Sequence, residues 1–236
     1  MGFLSRQDGF VVHCVRTRDS RHHHDKPKAG PAPNPQTRME TQAMQTPPET
    51  LTAVILAGGQ GRRMGGCNKG WVEYHGRPLI EHAIERLQPQ AAQLAVSSNT
   101  DIDRYRALGF PCLCDLHPDY RGPLAGIAAA FAAFPGQNLL CAPVDAPHCP
   151  RDLGQRLQQA LDREHAPAAV AHDGDRLQPL FALLRPTLAQ ALLDDLERGS
   201  LAAGRWFRDM GAIPVDFSDQ PQAFANINTP DDLGRD

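Results

Sequence analysis

Thirteen residues, Gly58 to Gly70, hold six glycines, two arginines and one lysine. Glycine loses more conformational freedom on folding than any other residue, so a cluster needs a tight turn or a backbone that must approach a ligand. Gly58, Gly59 and Gly61 free the chain to turn its N–H groups toward phosphate oxygens. Arg62, Arg63 and Lys69 add positive charge, Arg as a bidentate fork and Lys as a point charge. The chemistry expected is binding of a phosphate-bearing anion; a solvated turn with incidental basic residues is the plain alternative. Two common phosphate patterns do not fit. A Walker A loop needs Gly before its Lys and Ser or Thr after it, whereas Asn68 and Gly70 flank Lys69. The dinucleotide fingerprint started at Gly59 needs a third Gly where Met64 stands.

Such a loop needs a scaffold, and the pattern from residue 51 onward supplies one. "LTAVILA", "QLAVSS", "PCLCD", "NLLCAPVD", "APAAVAH", "LQPLFALL", "AIPVDF" and "AFANIN" read as strands. Between them lie helical stretches. "PLIEHAIERLQ" opens with Pro in its first turn, "DIDRYRAL" closes at Gly109, and "PLAGIAAAFAAF" ends at Pro135. "PRDLGQRLQQALDRE" places Leu153, Leu157 and Leu161 on one face. Two further helices fall near 186–197 and 200–210, and Thr229-Pro230 starts a last helical turn. Strands alternating with helices predict an α/β fold, a single Rossmann-like three-layer domain whose mostly parallel sheet is covered on both faces. Ligands of such sheets bind beyond the carboxyl ends of the strands. Three such ends carry polar chemistry: the glycine loop after Ala57, Asp115 after "CLC", and Asp145 after "LLCAPV".

The bulk composition bounds the function. A chain of 236 residues with 41% apolar and 22% charged side chains fits a globular protein, and a net charge of −3 gives no general case for nucleic-acid binding. No apolar run reaches the ~18 residues of a membrane span. The six cysteines form no C-x-x-C pair, so they read as buried thiols in a reducing cytoplasm. Cys112 and Cys114 alternate on their strand and are expected to point the same way. Residues 1–48 hold six prolines and four histidines and cannot bury enough surface to offset their ordering. They are expected to be a disordered or mis-assigned N-terminal extension, with residues 51–236 forming the functional domain.

"LAGGQGRRMGGCNKG" resembles the nucleotide-binding signature of the molybdenum cofactor guanylyltransferases, members of the nucleotide-sugar-pyrophosphorylase-like nucleotidyltransferase superfamily. "SSN" at 97–99, Asp115, "GPLAGI" at 122–127, "PVDAP" at 143–147 and "NINTPDDL" at 226–233 follow in the family's order. The resemblance implies a nucleotide-diphospho-sugar transferase type of fold. It also implies a reaction in which the terminal phosphate of molybdopterin attacks the α-phosphorus of GTP and pyrophosphate leaves. Cytidylyl relatives carry LAAG where this chain has Leu56-Ala57-Gly58-Gly59, which favours guanine.

The similarity implies nucleotide-binding roles for Leu56, Ala57, Gly58, Gly59, Arg63, Lys69, Ser97, Asp115 and Asp145. Ser97 stands where close relatives often have Asn, and Asn99 is a substitute for it. Lys69 and Asp145 are the expected catalytic pair, Lys69 as a phosphate clamp and Asp145 as the ligand of Mg²⁺, a metal that takes one or two carboxylates plus phosphate oxygens. The plain alternatives are an exposed loop lysine, an N-cap aspartate at 145 and a turn-forming aspartate at 115. Asn226 and Asn228, alternating on one strand, and His172 are placed toward the pterin. GTP and molybdopterin are the expected partners, with transient contact to a molybdoenzyme or cofactor-delivery protein, in the cytoplasm, with no nucleic acid and no membrane. A CTP- or sugar-phosphate-using nucleotidyltransferase and a non-catalytic cofactor carrier are the competing readings.

Overall fold

All six residues of β1, Leu51–Leu56, are buried, as a continuous apolar run requires of a strand covered on both faces. Side chains of a strand alternate between faces, and the core divides accordingly. Ala53 and Ile55 pack with Ile80, Ala83 and Leu87 of α1 (Leu79–Leu87), Tyr105 of α2 (Ile102–Arg106) and Leu153, Leu157 and Leu161 of α4 (Leu153–Arg163). Val54 and Leu56 pack with Leu124, Ile127 and Phe131 of α3 (Pro123–Ala133), Leu192 and Leu196 of α5 (Ala189–Arg198), and Trp206 and Phe207 of α6 (Ala203–Asp209). The three-layer expectation is therefore met. This computed structural model describes residues 51–58, 68–118, 122–199 and 202–228. Residues 1–48, most of the glycine loop including Gly59 and Arg63, and the Thr229-Pro230 turn lie outside them.

The sheet adds β4 (Gln93–Ser97), β5 (Cys112–Leu113), β6 (Asn138–Pro143), β7 (Ala168–His172), β8 (Leu177–Leu184) and β9 (Ile213–Asp216). Its order is β5-β4-β1-β6-β8-β7-β9. β1 pairs parallel with β4 and β6, β4 with β5, and β7 with β9; β8 runs antiparallel to both of its neighbours. Every strand but β8 therefore points the same way, and the carboxyl ends of β1, β4, β5, β6 and β7 share one edge. α3 is buried along eight consecutive residues, Leu124 to Phe131, because it lies between the sheet and α5. Small Ala and Gly side chains allow that close packing. Among the described residues no helix is long and apolar enough to cross a membrane.

Three expectations fail locally. "AFANIN" is not a strand. Pro221 starts a 3-10 turn over Pro221–Phe224, and Phe224 is drawn inward by edge-on contacts with Phe181 and Phe217 at 4.9 and 5.5 Å. Asn226 and Asn228 therefore share no strand face. Cys112 is buried and Cys114 exposed, because β5 ends at Leu113 before the alternation can operate. A small hairpin, β2 (Glu73–Tyr74) and β3 (Arg77–Pro78), was absent from the sequence pattern. Its turn places His75 and Gly76 at φ 48° and 74°, as a two-residue hairpin with positive φ at both centres demands.

Candidate active site

β1 delivers Ala57 and Gly58 to the carboxyl edge of the sheet, where the Ala57 N–H donates to the Ser97 carbonyl at 2.9 Å. The chain is described again at Asn68, the N-cap of a 3-10 turn over Lys69–Trp71. Lys69 Nζ donates to Asp145 Oδ2 at 2.7 Å and to Asn228 Oδ1 at 2.6 Å. These partners lie 76 and 159 residues away in sequence. The Lys69 and Asp145 side chains keep only 22% and 14% of their exposure, so each largely shielded charge compensates the other. Asp145 lies two residues beyond the end of β6, and its carbonyl accepts from the Ile227 N–H at 2.8 Å. That bond docks the segment carrying Asn228. Ile227 packs with Tyr74, Leu79 and Val72, so the hairpin after Lys69 and the C-terminal segment share a small apolar cluster beside the ion pair.

A second polar group stands at the ends of β4 and β5. Asn99 Nδ2 donates to Asp115 Oδ2 at 2.7 Å, and the Asp115 N–H returns to Asn99 Oδ1 at 2.9 Å. Ser97 is 3% exposed. Its Oγ and Cβ fill the space that Gly126 of α3 leaves by lacking a Cβ. Asn99 is thus the exposed polar side chain at this strand end, and Ser97 lies beneath it against the helix.

His172 ends β7, separated from β6 by β8. Its Nδ1 accepts from the Gly174 N–H at 3.1 Å. Neighbouring Asp173 is engaged by its own turn, accepting from the N–H groups of Asp175 and Arg176 and from Gln178 Nε2. These bonds, that of Arg176 foremost, hold its carboxyl below the usual aspartate range. His172 shares the sheet edge with Lys69 but not its cluster. Asn226 is exposed, and Leu56 and Ala57 are buried.

The structure thus joins Lys69, Asp145 and Asn228, pairs Asp115 with Asn99, and leaves His172 apart, while Asn226 touches the first group through its carbonyl, which accepts from Asn228 Nδ2 at 3.5 Å. It also brings in residues that the motifs do not mark. Asn68 bonds Thr100, Asp101, Gly70 and Tyr105 through its side chain. The available signal was an Asn, a preferred N-cap residue, directly before the lysine.

Three comparisons with known proteins bear on the family of the chain. The MobA-like NTP transferase domain profile matches residues 53–213. Curated relatives named molybdenum cofactor guanylyltransferase include that of Shewanella loihica, 43% identical over 181 residues, covering 77% of this chain and 92% of the relative. Another, from Shewanella sp. strain ANA-3, is 43% identical over 185 residues and is covered over 94% of its length. Among solved structures, molybdopterin-guanine dinucleotide biosynthesis protein A from Archaeoglobus fulgidus superimposes with a TM-score of 0.65 at 24% identity, over 77% of this chain and 94% of that one. The 2-C-methyl-D-erythritol 4-phosphate cytidylyltransferase of Thermus thermophilus shares the fold at a TM-score of 0.55 and 18% identity, over 76% of this chain and 94% of that one. With a family profile matching residues 53–213 and relatives matched along nearly their whole length, the chain is a nucleotidyltransferase that belongs to the MobA-like family, the molybdenum cofactor guanylyltransferases.

Proposed function

We propose that the protein transfers GMP from GTP to the terminal phosphate of molybdopterin, giving molybdopterin guanine dinucleotide and pyrophosphate. The observation that carries this reading is the junction of Lys69, Asp145 and Asn228 at the carboxyl edge of the sheet, in a chain whose relatives bear the guanylyltransferase name. A phosphate oxygen of the pterin attacks the α-phosphorus. The bond from that phosphorus to the bridging oxygen breaks, and pyrophosphate departs with the electron pair. Such a displacement asks the protein for alignment and for stabilisation of negative charge rather than for a covalent partner.

Lys69 has three N–H donors. Two go to Asp145 and Asn228, and the third is left for a phosphate oxygen. Leu56, Ala57, Gly58, Gly59, Arg63 and Asp115 are assigned to the nucleotide, with Asn99 in place of the buried Ser97, and Asn226, Asn228 and His172 to the pterin. Magnesium fits the remaining oxygen of Asp145, since Mg²⁺ accepts one or two carboxylates and completes its shell with phosphate oxygens and water. Among the described residues no group of three His, Cys, Asp or Glu side chains offers a fuller cage. Bound there, the ion would neutralise charge on the phosphates. Residues 51–236 carry the activity, in the cytoplasm, with release of product to a molybdoenzyme or a delivery protein.

Incubation with molybdopterin, Mg²⁺ and each nucleoside triphosphate, reading pyrophosphate, tests the assignment. GTP is expected to be preferred, with or without residues 1–48. A preference for CTP, turnover only with sugar phosphates, or stoichiometric pterin binding without turnover would replace it by the corresponding alternative.

A further inference from the structure

We propose that Asn68 is a positioning residue whose carboxamide fixes the turn carrying Lys69 and so sets where the lysine meets phosphate. This rests on the reading of Lys69 given above. An asparagine side chain offers two N–H donors and one oxygen with two lone pairs, and Asn68 uses all four. Nδ2 donates to Thr100 Oγ1 and to Asp101 Oδ2, each at 3.0 Å. Oδ1 accepts from Tyr105 Oη at 2.7 Å and from the Gly70 N–H at 3.1 Å. One side chain thereby ties the turn to the start of α2, whose Tyr105 is buried in the core.

The anchor is firm on its far side. Tyr105 is wholly buried. Burial, foremost, pushes its phenol well above its ordinary value, so the hydroxyl remains a donor to Asn68. Trp71, two residues after Lys69, stacks on the Tyr105 ring at 4.8 Å. The Arg104 guanidinium covers the Trp71 ring at 3.7 Å. Gly70 passes so close to Tyr105 Oη that a Cβ there would collide with it. Residues 68, 70 and 71 therefore all grip Tyr105 or its neighbours, and Lys69 is left to point at Asp145. A lysine has a flexible four-carbon stem, so its Nζ is aimed only as well as its backbone is held. Asp101 completes the clamp from a left-handed conformation, φ 52°, one that Asp tolerates better than most residues.

The direction of the amide makes the idea testable, because donor and acceptor can be exchanged across the Asn68–Asp101 contact. Asn68→Asp alone sets two carboxylates against each other and removes both donors. Adding Asp101→Asn restores a donor facing an acceptor, with Gly70, Tyr105 and Thr100 still able to donate to the new carboxylate at position 68. Asp101→Asn alone loses far less than Asn68→Asp, since its amide can turn an oxygen toward Asn68. Turnover with GTP, Mg²⁺ and molybdopterin is expected to fall about 10- to 100-fold in Asn68→Asp, the range for a misplaced catalytic group, and to return to within about threefold of wild type in the double variant. Labelling of Lys69 by an amine-reactive reagent, read by peptide mass spectrometry without substrate, is expected to rise in the single variant and fall back in the double. Thermal melting of each variant separates unfolding from misplacement. Turnover and labelling unchanged in Asn68→Asp, or a double variant no better than the single while still folded, would overturn the proposal. Labelling that follows the swap in a protein that never turns over GTP would keep the clamp and refute the guanylyl reading instead.

Discussion

Removing either member of the Lys69–Asp145 pair separates two roles, holding the fold and the proposed handling of phosphate. Their heavy atoms are 2.7 Å apart, and a unit pair at that distance is worth a gross ~6 kcal/mol at an effective dielectric of 20 and ~1.5 kcal/mol at 80. Desolvation offsets much of this. Breaking a fully buried pair costs about 3–5 kcal/mol and an exposed one about 0–1 kcal/mol. At 22% and 14% exposure the pair lies between these limits, so Lys69→Met or Asp145→Ala alone should cost about 1–3 kcal/mol. For a chain of this size that is a fall in Tm of about 2–12 °C. The double variant should be less destabilised than the sum of the singles by about 1–2 kcal/mol, because neither charge is left alone. Turnover should behave differently. Each single variant should lose about 10²- to 10³-fold, the usual cost of one group that stabilises transition-state charge, and the double should recover none of it. Pyrophosphate release and thermal melting on the same four proteins decide the matter. If turnover recovers in step with Tm in the double variant, the pair is structural and the phosphate role is wrong. Singles that fold less stably yet turn over normally would refute it equally.

Two further outcomes follow from local geometry. Gly70→Ala should destabilise by about 1–3 kcal/mol through overpacking, and Tyr105→Phe should return part of that loss, since the hydroxyl is the colliding atom and the nearest ring carbon lies at 3.2 Å; no recovery in a melting experiment would refute the collision. Partial desolvation, together with nearby Arg86, His75 and His82, holds the imidazole of the exposed His148 below its ordinary 6.5. Between its folded value and about 6.5 the unfolded chain therefore binds more protons, so this contribution to stability is present above about 6.5 and is lost as pH falls through the folded value. His148→Gln, whose amide can still meet Tyr74 Oη as Nε2 does at 3.0 Å, should flatten the fall of Tm over about pH 7 to 5; an unchanged slope would assign that fall to other groups.

The layers of the fold were legible because continuous apolar runs such as Leu51–Leu56 have only one good solution, a strand buried on both faces. Leu153, Leu157 and Leu161 marked the buried face of α4 for the same reason. Elements below the length at which a period can be read were not legible. β2 and β3 have two residues each, and their one signal was the His75-Gly76 pair between them. The "AFANIN" strand failed because burial of Phe224 among aromatic side chains outweighed a local alternation. Within the site, residue types were legible and their meeting was not. The rule that strands point their carboxyl ends at ligands placed Asp115 and Asp145 on one edge. Nothing local to Asn228 announces a hydrogen bond to a lysine 159 residues earlier.

That long-range closure explains why the lysine's turn needs support from both sides. On its C-terminal side the Val72 N–H donates to the Lys69 carbonyl, and the Leu79 N–H to that of Val72. Val72, Leu79 and Ile227 then share an apolar cluster. On its N-terminal side Asn68 supplies the four bonds to Thr100, Asp101, Tyr105 and Gly70. The sequence ahead of it holds five glycines between positions 58 and 66, residues with more conformational freedom than any other, whereas a clamped turn is what aims a side chain. The turn that follows Asn68 delivers one cation to a carboxylate at the carboxyl edge of the sheet. The lysine is thus aimed from a turn that Asn68 commits to the scaffold through four hydrogen bonds, while its Nζ meets partners 76 and 159 residues away.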